Sequence, residues 1–236
     1  MVPSAHVNDI DLYYEIHGDG PVVLLIPGLG VDVNYFAHII RNLAATCRVV
    51  AFDPRGAGQS DKPDVPYTIE GMAEDAVGLL EFLGLDKVTV VGTSMGGRTA
   101  LIIALDHADL VERLVLVATS ARVPPVQRFT RRWLIMDVLA RLPFPKGEDA
   151  QPRYAWERQR DASVGFDCTD RLGEIKMPTL VVHGTTDHIV PFPLGKDMAG
   201  RIADARLVSV PGGHRALFIG QGHRLAEEIE HFIAET

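Results

Sequence analysis

The stretch VTVVGTSMGGRTALIIALDHA, residues 88–108, decides the fold. It begins with β-branched and apolar residues typical of a buried strand and ends in residues that favour a helix. A single serine, Ser94, stands between glycines where the two elements meet. Small residues two positions before and after this serine let strand and helix approach without a Cβ clash, so the pattern GxSxG predicts a sharp turn that exposes the hydroxyl.

The segments around this junction alternate between strands and helices. A short antiparallel hairpin is predicted over residues 5–17. Further strands are predicted at residues 22–28, 47–53, 113–120, 179–184 and 206–213, with helical segments between them. Repeated strand–helix units predict an α/β fold with a mostly parallel, doubly wound sheet whose ligand sites lie beyond the carboxyl ends of the strands.

The alternation stops between residues 121 and 176, where prolines separate helical stretches such as FTRRWLIMDVLARL and RYAWERQRDA. We therefore expect a core of residues 1–120 and 177–236 and a short inserted helical cap at residues 121–176. Nine Arg and Lys stand against four acids between residues 121 and 160, in a chain of net charge -8. Such a cap either attracts anions toward a cleft or forms a solvated face that pairs with acidic neighbours.

Composition narrows the class of partner. The chain has 236 residues, 47% of them apolar, which is enough for one domain with a buried core. Its net charge of -8 disfavours nucleic acid and anionic membrane surfaces, so a small-molecule substrate is the expected partner. We see no secretory signal or membrane-spanning run, and the two cysteines show no metal-ligand spacing. A cytoplasmic location is the expectation.

Two further residues are predicted to activate Ser94. A serine hydroxyl is a poor nucleophile unless a base takes its proton and a carboxylate orients that base. Asp187, in HGTTDHIVP, follows one predicted strand, and His214, in PGGHRALF, follows the next. The carboxyl ends of parallel strands share one edge of the sheet, so these three side chains are predicted to form a catalytic triad.

Along essentially its whole length the chain resembles the α/β-hydrolases. FDPRGAGQSDKP, GTSMGG, LVVHGTTDHIVP and VPGGHRALF are each similar to a characteristic loop of that family. The order Ser94, Asp187, His214 is also that of the α/β-hydrolases. Within the family, the chain is most similar to small capped esterases and lactonases of the 3-oxoadipate enol-lactonase type.

The resemblance also implies an oxyanion hole. It is formed by the backbone N–H groups of Met95, which follows the nucleophile, and of Leu29, in the loop IPGLG. The family often has His-Gly where this chain has Pro27-Gly28, so a side chain that usually braces the loop is missing. The resemblance further implies that Asp53 and Arg55 mostly support the oxyanion loop.

Substrate contacts are less specified. Four residues are candidates for contact with the substrate: Arg98, Arg122, Trp133 and Trp156. Each of them could instead pack inside the protein or lie on its surface. Arg98 lies about one helical turn beyond Ser94, so it either reaches the pocket or pairs with an acid. The tryptophans belong to the predicted cap, one face of which covers the active site.

The predicted activity is hydrolysis of a carboxylic ester or lactone through an acyl-serine intermediate, without a metal or organic cofactor. A substrate with a free carboxylate would suit the basic cap. One alternative keeps the triad but hydrolyses a carbon–carbon bond or eliminates pyruvate, as enzymes with a motif similar to GTSMGGR do. Another is a ligand-binding receptor with slow turnover on the same fold, since fold alone does not fix function.

Overall fold

The computed structural model describes residues 3–123, 151–214 and 222–235. In this part of the chain eight strands form one sheet in the order β1-β2-β4-β3-β5-β6-β7-β8. The strands are β1 (Ser4–Val7), β2 (Ile10–His17), β3 (Val22–Ile26), β4 (Arg48–Phe52), β5 (Val88–Thr93), β6 (Val111–Val117), β7 (Thr179–Gly184) and β8 (Ala205–Val210).

The sheet is parallel except at one edge. Strands β3 to β8 pair in parallel, whereas β1 pairs antiparallel with β2 and β2 antiparallel with β4. The turn of the β1–β2 hairpin is made by Asn8 and Asp9, both with positive φ, as a tight two-residue hairpin requires. The predicted hairpin and mostly parallel sheet are confirmed. The carboxyl ends of β3 to β8 therefore lie along one edge.

Helices cover both faces of this sheet. They are α1 (Ala37–Leu43), α2 (Ile69–Phe82), α3 (Met95–Asp106), α4 (Arg153–Gly165), α5 (Phe192–Arg201) and α6 (Gly222–Ala234) within the described residues. Helix α2 is capped at its start by Thr68, whose side chain accepts a hydrogen bond from the N–H of Gly71. Gly84 follows its end with a φ of 65°, a conformation that favours glycine.

Each face of the sheet has its own apolar core. Leu24 and Ile26 of β3 pack on one side in a cluster that includes residues of α2 and α3. Val23 and Leu25 of the same strand pack on the other side in a cluster that includes residues of α1 and α6. Burial on both faces explains why the central strands are unbroken apolar runs rather than alternating ones.

The predicted cap is described in part. Its second helical stretch is the helix α4, and the stretch at residues 129–142 lies outside the described residues. Helix α4 is anchored to the core, since the Tyr154 hydroxyl donates to the carbonyl of Lys62 and Arg158 pairs with Asp64. In the described part of the chain, no helix has the length and apolar character needed to cross a membrane.

Candidate active site

Ser94 occupies a strained turn between β5 and α3. Its backbone has φ 54° and ψ -113°, in a region that residues other than glycine rarely adopt. A Cβ on Gly92 would lie 2.4 Å from the carbonyl oxygen of Gly96, and a Cβ on Gly96 would lie 2.3 Å from that of Ile26. Both contacts are with backbone atoms, so the two glycines of GxSxG are required for the close approach of strand, helix and β3.

His214 contacts both other members of the predicted triad. Its Nε2 lies 3.1 Å from Ser94 Oγ, and its Nδ1 lies 2.8 Å from Asp187 Oδ2. An ionised carboxylate can only accept, so Nδ1 carries the proton and donates it to Asp187. Nε2 is then left as the acceptor for the Ser94 hydroxyl. This arrangement allows His214 to act as a general base toward Ser94.

The Asp187 carboxylate is fixed by its own loop. Its Oδ1 accepts hydrogen bonds from the N–H groups of Ile189 and Val190, at 2.8 Å and 2.9 Å. Its other oxygen, Oδ2, is thereby directed toward His214. The side chain is fully buried, which strengthens its interaction with a positively charged imidazole.

A second histidine, His183, stabilises this loop and was not predicted from the sequence. Its Nε2 donates a 2.8 Å hydrogen bond to the carbonyl of Val190 and lies 3.6 Å from Asp187 Oδ2. Burial lowers the pKa of His183, so the ring is held in its neutral form. The only sequence signal was its position at the end of a predicted strand, four residues before Asp187.

The loop after β3 lies directly against the nucleophile. A Cβ on Gly28 would be 3.2 Å from the Cβ of Ser94 and 3.8 Å from its Oγ, so the backbone at Gly28, the residue before Leu29, lies against the nucleophile. Met95 is the first residue of α3, and the N–H groups of a first helical turn have no partner within the helix. Met95 follows Ser94 directly and Leu29 follows Gly28, and their role as oxyanion donors stays a prediction.

Asp53 supports this loop from the core. Its Oδ1 accepts from the N–H of Val33 and its Oδ2 from that of Gln59, each at 2.8 Å. Burial raises the pKa of Asp53 to about 6. Arg55, on the same loop, forms a buried ion pair with Asp75. The hydrogen bonds of Asp53 and the ion pair of Arg55 join parts of the scaffold and do not involve Ser94, Asp187 or His214. This agrees with the supporting role predicted for Asp53 and Arg55.

The structure shows what the Arg98 side chain contacts. Arg98 is 4% exposed, and its guanidinium donates to the hydroxyls of Ser163, on α4, and of Ser120, the latter at 3.3 Å. Its partners in the described residues are therefore hydroxyls and not an acid, and it joins α3 to α4. Burial lowers the pKa of Arg98 to about 10.

The other candidate contacts are distributed around this region. Arg122 is exposed, and its backbone pairs with that of Asp167. Trp156 is buried on α4 with the Arg160 guanidinium over its ring at 5.5 Å. Trp133 lies outside the described residues. Among the described residues, no three His, Cys, Asp or Glu side chains are grouped so as to hold a metal ion.

The chain matches a family model described as alpha/beta hydrolase fold over residues 21–162. A protein of Azorhizobium caulinodans named "Putative carbamate hydrolase RutD" is 30% identical, over 91% of this chain and 92% of its own length. The human "Serine hydrolase BPHL" is 31% identical, over 94% of this chain and 84% of its own length.

Solved structures give the same picture of the fold. The enol-lactonase from Burkholderia xenovorans LB400 superposes with a TM-score of 0.85 at 28% identity, covering 99% of this chain and 100% of that one. A thermophilic esterase from Thermogutta terrifontis gives a TM-score of 0.85 at 27% identity, covering 99% of this chain and 98% of its own. Each match spans the sheet and the segment predicted as a cap.

Proposed function

Because the chain belongs to the α/β-hydrolase fold family, we propose that it is a serine hydrolase that cleaves a carboxylic ester or lactone of a small substrate. The observation that carries the proposal is the continuous relay from Ser94 Oγ to His214 Nε2, at 3.1 Å, and from His214 Nδ1 to Asp187 Oδ2, at 2.8 Å. A serine in a merely structural turn needs neither contact.

In the first half of the reaction Ser94 Oγ attacks the substrate carbonyl as His214 Nε2 takes its proton. The carbonyl oxygen becomes negative in the tetrahedral intermediate, and the N–H groups of Met95 and Leu29 are the proposed donors to it. Asp187 stabilises the imidazolium that forms. When the intermediate collapses, His214 gives its proton to the departing alkoxide and the acyl group remains on Ser94.

The second half repeats these steps with water. His214, again neutral, takes a proton from a water molecule that attacks the acyl-serine. The oxyanion forms at the same position, and Ser94 leaves with the proton from His214. The product is a free carboxylate, and a lactone yields a single hydroxy acid because its leaving group stays attached. Every proton moves between substrate, water and protein groups, so the proposed reaction uses no cofactor.

Support for an ester or lactone comes from the enol-lactonase and the esterase, both similar over nearly the full chain. A second candidate is the hydrolysis of a small carbamate. It is favoured by relatives that bear a carbamate hydrolase name, including one of Caulobacter vibrioides that is 34% identical over 86% of this chain. The same triad serves both reactions, which differ in the group bonded to the carbonyl.

Activity on a substrate panel tests the proposal. Short-chain aryl esters, lactones, enol-lactones and small carbamates are assayed with the wild type and with Ser94→Ala. Replacing Ser94 or His214 by Ala is expected to lower kcat by about 10⁶, and replacing Asp187 by less. A preference for carbamates over matched esters would favour the second candidate. Activity on none of them would favour carbon–carbon hydrolysis, elimination or a receptor role.

Covalent labelling tests the nucleophile independently. A fluorophosphonate should add to Ser94, because the activated oxygen that attacks a carbonyl also attacks phosphorus. Mass spectrometry of a digest locates the adduct. Ser60 and Ser120 are buried and serve as internal controls. An adduct on either of them, with Ser94 unmodified, would contradict the assignment.

A further inference from the structure

The oxyanion loop after β3, residues 27–31, has few means of fixing its own conformation. Pro27 has no N–H to donate, and Gly28 has no side chain. Gly30 adopts a φ of 72°, in the left-handed region. Contacts from outside the loop must therefore fix it, and Asp53 supplies one just beyond its end, through the N–H of Val33.

A second contact comes from Gln159 on α4. Its side chain is completely buried, and its Oε1 accepts hydrogen bonds from the N–H of Gly30, at 3.1 Å, and from Gln151 Nε2, at 2.9 Å. Its Nε2 donates to the carbonyl of Arg55 at 2.8 Å. A backbone N–H can only donate and a carbonyl can only accept, so these partners fix the orientation of the amide.

Trp156, one turn earlier on the same helix, contacts the same glycine. A Cβ on Gly30 would lie 2.9 Å from Trp156 Cδ1 and 3.0 Å from its Nε1. Residues three apart on a helix share a face, so α4 presents both Trp156 and Gln159 to the loop. One side chain packs against Gly30 and the other bonds its N–H.

We propose that Gln159 is a positioning residue for the oxyanion hole and that helix α4 thereby completes this hole. The bond to Gly30 fixes the peptide plane between Leu29 and Gly30, which restricts the backbone rotation that orients the neighbouring N–H of Leu29. The bond to the Arg55 carbonyl ties the same amide to the loop after β4. This inference rests on the proposed serine mechanism, in which Leu29 donates to the oxyanion.

The experiment compares Gln159→Met with the wild type on the best ester of the panel. Methionine keeps the length of the side chain but cannot make these hydrogen bonds. Loosening one oxyanion donor is expected to lower kcat by about 10- to 100-fold, with KM changed less than about threefold. The affinity for an arylboronic acid, whose tetrahedral adduct with Ser94 places an oxygen in the hole, is expected to fall by a similar factor.

Tyr154→Phe is the matched control on the same helix. It removes a hydrogen bond of 2.6 Å from α4 to the core, at the carbonyl of Lys62, away from the oxyanion loop. Its kcat and boronate affinity are expected to stay within about twofold of the wild type, as a surface hydrogen bond contributes little. Each rate is divided by the number of sites that react to completion with the fluorophosphonate, so unfolded protein is not counted. If Gln159→Met does not fold, Gln159→Leu is measured in the same way.

Three results would overturn the proposal: an unchanged kcat and boronate affinity in the Gln159 variants, a change confined to KM, or equal losses in Tyr154→Phe. Ser94→Ala in the same assay separates the two levels of inference. If that variant keeps its activity, the serine mechanism itself fails. If it loses activity while Gln159→Met does not, only the role of Gln159 fails.

Discussion

The hydroxyl of Thr119 donates a hydrogen bond of 2.6 Å to the carbonyl oxygen of Ser94. The N–H of Ser94 in turn donates to the carbonyl of Val117 at 2.9 Å. The residues at the end of β6 therefore bind the polar backbone groups on both sides of the strained nucleophile. A φ of 54° costs a serine about 1–3 kcal/mol, so neighbouring contacts must maintain it.

Replacing Thr119 by Val should weaken this support without changing the size of the side chain. The carbonyl of Ser94 keeps its other donor, the N–H of Gly97 at 3.1 Å, so we expect the free energy of unfolding to fall by only about 1 kcal/mol. The Ser94 hydroxyl is then less well aligned with His214, and we expect kcat to fall about 5- to 30-fold, in the range seen for small misplacements of reacting groups. Urea unfolding and kcat per labelled site measure the two effects. Thr119→Ser keeps the hydroxyl and should retain most of both; equal losses in the two variants would show that packing, not the hydrogen bond, matters.

Gly96→Ala should be much more damaging than an alanine at a glycine with free space around it. The new Cβ would lie 2.3 Å from the carbonyl oxygen of Ile26 and 2.4 Å from that of Pro27, so α3 and the end of β3 would have to separate. We expect a loss of more than about 2 kcal/mol of unfolding free energy and a large fall in kcat.

Gly200→Ala is the control for that substitution. Gly200 lies within α5, and a Cβ there would meet nothing within 4 Å. Alanine has the higher helix propensity, so this variant is expected to be about 0.5–1 kcal/mol more stable than the wild type. Thermal unfolding of the two variants measures whether Gly96→Ala is less stable, and Gly200→Ala more stable, than the wild type. Equal stability of the two variants would contradict the close approach of α3 to the end of β3.

Asp53 should give the protein a recognisable dependence of stability on pH. Burial raises the pKa of Asp53 from 3.8 to about 6 in the folded state. A raised pKa means that the folded state binds the proton more tightly, so this contribution to stability is present below about pH 4 and is lost as the pH rises through about 6. The advantage of the wild type over Asp53→Asn, measured by urea unfolding, should therefore decrease by about 2 kcal/mol between pH 4 and pH 7. A constant difference across this range would contradict the raised pKa.

The alternation of strands and helices and the contacts among Ser94, His214 and Asp187 could be predicted because the sequence pattern gives the strand ends. A buried strand, a glycine-flanked serine and a helix are contiguous in the sequence, and parallel strands bring Asp187 and His214 to the same edge as Ser94. The support for the oxyanion loop was not predictable. Gln159 is 129 residues from Gly30, and a glutamine in a polar helix carries no signal of its buried amide. Thr119 likewise acts through a contact between the segments that follow β5 and β6.

Arg98 shows why spacing alone left two alternatives open. Its position one turn after Ser94 predicted proximity to the pocket, but the direction of a guanidinium depends on its partners. Those partners, Ser120 and Ser163, lie at the end of β6 and on α4. From the sequence, Ser120 is only part of a predicted strand end and Ser163 only part of a polar helix. Nothing in the sequence indicates that their hydroxyls bind a buried guanidinium.

These contacts predict that Arg98 does not select substrates by charge. To bind a substrate carboxylate, its Nη groups would have to leave the two hydroxyls, and Arg98 as a whole is only 4% exposed. We therefore expect Arg98→Met to change kcat/KM for an acid-bearing ester and for its methyl ester by the same factor, so that their ratio stays within about twofold of the wild-type ratio. A lost bidentate pair would instead change that ratio by about ten- to a hundredfold.

Arg153→Met is the control, because Arg153 is exposed and pairs with Glu157 on the same helix. Initial rates at low salt measure both ratios, since screening is then weakest. A ratio that falls toward one in Arg98→Met but not in Arg153→Met would place Arg98 against the substrate carboxylate and reverse the assignment.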